Sequence, residues 1–185
     1  MKNIAYTLLS ILLLSLGCKT SKPLTEGNPV PMMTQPVRPE TNFSEQSTWL
    51  LGYFSKERLS SPPHSEWYQN GFKGYQANNE AINKLTGISK EDLTIKIVMG
   101  TWCPDSRREV PRFMRILEIW EFPPEKVTFI GVDNAKLSPV GEYNDLDIQR
   151  VPTFILYKNN IEAGRIIENP VTSLEQDMVN ILTKE

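Results

Sequence analysis

The chain has few of the residues on which metal and disulfide chemistry depends. Its 185 residues include two cysteines and a single histidine. Zinc and copper sites built from protein alone need three or four nitrogen or sulfur ligands, so the composition argues against a metal centre. The formal net charge is −2, and no basic excess favours nucleic acid as a partner. We therefore expect no metal, no cofactor and no nucleic acid.

A long hydrophobic run is also missing. Residues 4–16 are apolar apart from a few small hydroxyl side chains and follow the positive start Met1-Lys2. This run is shorter than the ~20 residues of a membrane-spanning helix. Its length and flanks are those of a secretory signal. We expect residues 1–18 to be a signal peptide rather than a spanning segment.

The end of this segment, Leu14-Ser15-Leu16-Gly17-Cys18, resembles a bacterial lipoprotein signal, although Ser15 stands where leucine is usual. The resemblance implies that Cys18 is lipidated and becomes the mature N-terminus. It also implies a cell-envelope protein anchored by lipid, with its domain facing the periplasm or the exterior. The alternatives are cleavage nearby that leaves Cys18 as a free thiol, or an uncleaved anchor.

Residues 19–42 are rich in proline and small polar residues, which is typical of a flexible or semi-extended linker. An ordered arm packed on the domain is the alternative. The length of the remaining chain fits one domain, residues 43–185.

Residues 43–92 are the least familiar part, and we treat them as an N-terminal extension of that domain. The apolar run at 49–54 is too short for periodicity to separate strand from helix. We expect a helix near Glu66 capped by Ser65, and a second helical stretch before Gly87. His64 lies in a Pro- and Ser-rich loop, where we expect it to be solvated. The aromatic residues at 67–75 are expected in the core, with a groove beside Cys103 as the alternative.

The strongest local pattern is an apolar strand that leads into a cysteine and then a helix. Residues 95–99 predict a buried strand, and apolar residues at three- and four-residue spacing after Pro104 predict a helix. Pro104 suits the first helical turn. Cys103 is therefore expected at a helix N-terminus, a position that stabilises the thiolate and lowers cysteine pKa values from ~8.5 to as little as ~3.5–7.5.

The sequence Trp102-Cys103-Pro104-Asp105-Ser106 resembles the Trp-Cys-x-x-Cys site of thioredoxin-like proteins. Pro111 matches the proline that kinks the family's active-site helix. Val151-Pro152-Thr153 resembles the loop with the family's cis-proline, which faces the cysteine and binds substrate backbone. The resemblance implies an α/β thioredoxin-like fold, a central mixed β-sheet flanked by helices.

Two departures change what the resemblance implies for the chemistry. Ser106 replaces the second, resolving cysteine, and Ile97 stands where the family has a buried acid. An intramolecular disulfide therefore cannot form at this motif.

The elements predicted after this helix follow the order that the resemblance to thioredoxin-like domains implies. Residues 127–133 predict a buried strand, and residues 135–149 a helical or loop crossover. Lys158-Asn159-Asn160 predicts a hairpin turn, because asparagine tolerates positive φ. Residues 172–175 are interpreted as a capping box that starts a last helix.

We expect a membrane-tethered thiol-disulfide exchange protein of reductase or isomerase type, with Cys103 as its single nucleophile. Trp102 would shield the sulfur, and Ser106 would donate a hydrogen bond to the thiolate. Its partners would be protein or small-molecule thiols and disulfides, bound by Val151, Pro152 and Pro104. If Cys18 is lipidated, the resolving thiol must come from outside the chain.

Two other classes remain open. A thioredoxin-like fold can serve as a non-catalytic module that binds clients or a partner, because a fold alone does not specify an activity. A monothiol-glutaredoxin-like or peroxidase activity is weaker, because the expected secretory signal argues against iron–sulfur cluster assembly and the peroxidatic motif is absent before Cys103.

Overall fold

Five strands form one mixed sheet in the computed structural model, which describes residues 48–184. The strands are β1 (Gly52–Phe54), β2 (Leu93–Met99), β3 (Val127–Gly131), β4 (Thr153–Lys158) and β5 (Ile161–Ile167). Their order across the sheet is β1-β3-β2-β4-β5. Strands β2 and β3 run parallel, and the other neighbouring pairs are antiparallel. This confirms the predicted mixed α/β architecture.

Strand β2 occupies the centre of the sheet, and its second half is buried on both faces. Ile97, Val98 and Met99 are fully buried, whereas Thr94 and Lys96 in the first half are half-buried. A segment covered on both sides has a continuous apolar sequence, which explains the run at residues 97–99. The loop after β2 therefore leaves from the middle of the sheet edge, flanked by the ends of β3 and β4.

The helices are α1 (Lys56–Leu59), α2 (Ser65–Gly74), α3 (Asn79–Thr86), α4 (Pro104–Ile119) and α5 (Leu174–Leu182). The long helix α4 begins at Pro104 and contains Pro111, as predicted. Its apolar side includes Val110 and Phe113, and the Phe113 ring stacks on Phe154 of β4 with centroids 4.2 Å apart. Each such side chain contributes about 1.5–3 kcal/mol by leaving water.

The core is divided by the sheet into two clusters. The larger cluster combines side chains of all five helices with Ile95, Ile97 and Phe154. The smaller one contains Val98, Cys103 and neighbouring strand residues together with Tyr143 and Leu146. Those last two belong to a 3₁₀ turn, Gly141–Leu146, inside the connection between β3 and β4. Helices therefore cover one face, and a largely irregular segment covers the other.

The open question at residues 49–54 is resolved in favour of a strand, because β1 pairs antiparallel with β3. Helix α2 begins at Ser65, with His64 rather than Ser65 as its N-cap. Helix α3 ends at Thr86, so the stretch predicted before Gly87 is confirmed. The predicted hairpin turn is confirmed too, with Asn159 at φ 52° and Asn160 at φ 62°.

Besides the Ser65 cap, two local predictions are wrong. His64 is 4% exposed rather than solvated, and its ring meets Trp67 edge-on at 5.9 Å. Burial disfavours the imidazolium and lowers the pKa of His64. The capping box is wrong because the N-cap of α5 is Ser173, which accepts from Gln176 N, whereas the Glu175 carboxylate accepts from Tyr75 Oη at 2.8 Å and from Asn78 N.

The predicted signal peptide at 1–18, the lipidation of Cys18 and the linker at 19–42 lie outside the described residues. Among residues 48–184, no helix has both the length and the apolar character needed to cross a bilayer.

Candidate thiol site

Cys103 is the N-cap of α4, so its side chain lies at the start of a 16-residue helix. A tight turn brings it there, because Cys103 N donates to Gly100 O at 2.9 Å at the end of β2. The Cys103 carbonyl accepts from Arg107 N at 3.0 Å, which is the first helical hydrogen bond. The positive end of the helix dipole and the unpaired N–H groups of the first turn therefore lie next to the sulfur.

The second half of the site comes from the start of β4, far away in the sequence. Cys103 Sγ donates to Val151 O at 3.3 Å across a separation of 48 residues. The Val151–Pro152 peptide bond is cis. Strands β2 and β4 are antiparallel neighbours, so the loop after β2 and the residues before β4 meet at the same edge of the sheet.

The sulfur opens onto a shallow cavity of about 330 Å³, which we call the thiol cavity. Cys103 is 6% exposed, so the thiol lies at the base of this cavity rather than on the open surface. The lining residues are Trp102, Cys103, Lys136, Gln149, Arg150, Val151 and Glu168. Their mixture of one thiol, one indole and several polar or charged groups suits a polar ligand that reacts with sulfur.

Trp102 lines the thiol cavity beside Cys103, where its Nε1 donates to Val132 O at 2.9 Å. Gly100 makes room for this indole, because a Cβ at position 100 would lie 2.5 Å from the ring. The orientation of Trp102 therefore depends on its hydrogen bond to Val132 O and on the absence of a side chain at Gly100.

Ser106 is not among the residues that line the thiol cavity. It is fully buried, and its Oγ accepts from Gly100 N at 3.3 Å. Its hydrogen bond thus goes to the turn that carries Cys103, not to the thiol. Pro104 is exposed and Pro152 is buried directly after Val151, and neither proline is among the residues that line the cavity.

Arginines pair with the acidic groups near the sulfur. Asp105 accepts from Arg108 at 2.6 Å, and the same guanidinium bonds Glu109 at 2.6 Å. These carboxylates raise the pKa of Arg108. In the thiol cavity, Arg150 Nη1 lies 2.7 Å from Glu168 Oε2. A carboxylate beside a cysteine opposes a thiolate, and the ion pair with Arg108 weakens this effect of Asp105.

Sequence reasoning missed the contribution of residues 48–50, which pack against the Cys103 loop. Leu50 N donates to Thr101 Oγ1 at 3.2 Å, and the ring centroids of Trp49 and Trp102 are 6.2 Å apart. His64 interacts with the backbone of Thr48. No short-range pattern connects residues 48–50 with position 101, because the contacts depend on β1 pairing with β3.

The charged residues that line the cavity, Lys136, Arg150 and Glu168, were missed as well. Lys136 and Gln149 come from the connection between β3 and β4, and Glu168 follows β5, so no short motif contains all three. Within residues 48–184, no group of three or more His, Cys, Asp or Glu side chains is arranged to hold a metal ion. The chain matches no protein-family model, and no curated protein matches it.

Proposed function

We propose that this chain is a thioredoxin-like, membrane-tethered protein that carries out thiol-disulfide exchange through Cys103 alone. The fold assignment is supported by the order of the elements, by the cysteine at the N-cap of α4 and by the cis peptide bond before β4. The membrane tether is supported by residues 1–18 of the sequence.

One observation carries the proposal: Cys103 Sγ lies at a helix N-terminus, 3.3 Å from Val151 O, at the base of the thiol cavity. The helix end favours an anionic sulfur, which is the attacking species in exchange. The cavity gives a disulfide access to that sulfur. Val151 and Pro152 supply a backbone edge against which the polypeptide of a substrate would lie.

In the proposed reaction, the Cys103 thiol first gives up its proton to solvent. The thiolate then attacks one sulfur of a substrate disulfide, a new bond forms to Cys103 Sγ, and the other substrate sulfur leaves as a thiolate. Ser106 is buried and cannot attack the mixed disulfide as a cysteine would. Release therefore needs a second thiol, either from the substrate, which gives isomerisation, or from a separate thiol, which gives reduction.

The test is to incubate the full-length protein with a small disulfide and follow adduct formation by intact mass and peptide mapping. We expect one adduct, on Cys103, and its release by added thiol. The matched control is Ser106→Ala, which keeps the nucleophile and should still form the adduct, whereas Cys103→Ser should not. If Cys103 stays unmodified under conditions that modify the unfolded chain, the exchange proposal is wrong.

The second candidate is a binding module that does not turn over, and the 6% exposure of Cys103 favours it. A buried thiol hydrogen-bonded to a carbonyl can serve packing alone. The two functions differ in rate, because an exchange protein should form and release adducts repeatedly. A module should bind reduced clients equally well with Cys103 or with Ser at this position.

A further inference from the structure

The thiol cavity carries an unbalanced positive charge. Arg150 and Glu168 neutralise each other, with 2.7 Å between Nη1 and Oε2. Lys136 also lines the cavity, and among the ion pairs of residues 48–184 it has no carboxylate partner. The ammonium of Lys136 is therefore available to a ligand that enters beside Cys103.

A second cation lies four residues after Cys103, outside the set of residues that line the thiol cavity. Arg107 is exposed in the first turn of α4, and its Nε donates to the carbonyl of Thr101 at 2.6 Å. It forms no ion pair within residues 48–184, whereas Asp105 is paired with Arg108 at 2.6 Å. Asp105 is thus neutralised by Arg108, whereas Lys136 and Arg107 form no ion pair within the described residues.

We propose that the disulfides on which Cys103 acts carry a carboxylate close to the reacting sulfur. This inference rests on the exchange function proposed above and names its substrate class. Lys136 would bind the carboxylate while the sulfur meets Cys103, and the N-terminus of α4 adds a further favourable field. The volume of about 330 Å³ holds a small carboxylated disulfide or one acidic stretch of a peptide, and both present the same chemistry.

The reaction stays balanced with such a substrate. The Cys103 thiolate bonds to the sulfur of one carboxylated half, and the other half leaves as a thiolate that takes up a proton from water. Cys103 is oxidised to the mixed disulfide and the leaving half is reduced. A low-molecular-weight thiol then attacks the mixed disulfide and regenerates Cys103.

The experiment compares three aliphatic disulfides that differ in charge: dithiodipropionate, hydroxyethyl disulfide and cystamine. Adduct formation on Cys103 of the full-length protein is timed by mass spectrometry, and each rate is divided by that for mercaptoethanol with the same disulfide. We expect the anionic disulfide to react about five-fold faster than the cationic one at low salt, the size expected for an exposed ion pair. The ratio should shrink toward one at about 1 M salt.

Lys136→Glu should abolish or reverse this ratio, because it replaces the unpaired ammonium with a carboxylate. Lys158→Glu is the matched control, since Lys158 is an exposed lysine at the opposite end of β4 from Pro152. It should leave the ratio unchanged. Equal normalised rates for all three disulfides, or an unchanged ratio in Lys136→Glu, would overturn the substrate class while leaving exchange intact. No reaction with any disulfide would overturn the exchange function and this inference together.

Two further arms separate the sources of the carboxylate. One uses peptide disulfides flanked by glutamate and the other uses the same peptides flanked by lysine. A glutamate preference that exceeds the one seen with dithiodipropionate supports an acidic polypeptide as the substrate. A preference confined to the small disulfides supports a low-molecular-weight carboxylated thiol.

Discussion

The two faces of the sheet are built differently, and the difference separates stability from chemistry. One face is covered by five helices around a large apolar cluster that includes Phe113 and Phe154. The other is covered by the irregular segment between β3 and β4 and holds a smaller cluster that includes Cys103. The helical face has the area needed to stabilise the fold, and the loop-covered face has the backbone edges and charges that a reactive thiol needs.

The largest effect should come from removing the sulfur. Cys103→Ser should lower disulfide exchange by at least about a thousandfold, because no other described residue supplies a nucleophilic thiol. The free energy of unfolding should change by less than about 1 kcal/mol, since the replacement is nearly isosteric. Exchange rates and urea denaturation measure the two quantities. A variant that retained exchange would place the reactive group elsewhere.

A substitution that removes packing but keeps the sulfur tests the helical face. Phe113→Ala should lower the free energy of unfolding by about 3–5 kcal/mol, because it removes a fully buried ring stacked on Phe154. The rate of exchange per folded molecule should remain within about twofold. Denaturant midpoints and rates measured well below the transition report these effects. A selective loss of exchange at full folding would contradict the separation of the two faces.

The boundary between the faces can be tested at Gly100. A Cβ there would lie 2.5 Å from the Trp102 indole, so Gly100→Ala should push that ring off its hydrogen bond to Val132 O. We expect the free energy of unfolding to fall by about 1–3 kcal/mol, the cost of forcing extra atoms into a packed site. Alkylation of Cys103 should become faster. Gly74→Ala is the control, because nothing lies within 4 Å of a Cβ at that position.

The smallest expected effect concerns pH. The pKa of His64 is lowered in the folded protein by burial, whereas the unfolded chain binds the proton near pH 6.5. The contribution of His64 to the free energy of unfolding is therefore fully present above about pH 6.5. It falls as the pH drops below that value, by at most about 1.4 kcal/mol per pH unit. Unfolding curves between pH 8 and pH 5 should show a shallower acid dependence in His64→Gln than in the natural protein. Identical slopes would mean that His64 does not contribute to the pH dependence of the free energy of unfolding.

Much of the site was predictable because its signals are local. The strand before Cys103 and the helix after it follow from residue types within a few positions, as does the turn at Asn159 and Asn160 far from the site. The capping box failed for a tertiary reason, because the Glu175 carboxylate bonds to Tyr75 and Asn78 of another part of the chain. His64 failed similarly, since it is buried and interacts with the backbone of Thr48, sixteen residues earlier.

Local sequence alone was enough to place a nucleophilic type of side chain at the N-terminus of a helix after a buried central strand. Hydrophobic periodicity and the first-turn proline act over a few residues and need no partner. The contact between Cys103 and Val151, the charges of the thiol cavity and the packing of residues 48–50 on the Cys103 loop required the folded sheet. The two hydrogen bonds join segments 48 and 51 residues apart, and strand pairing rather than any short pattern brings those segments together.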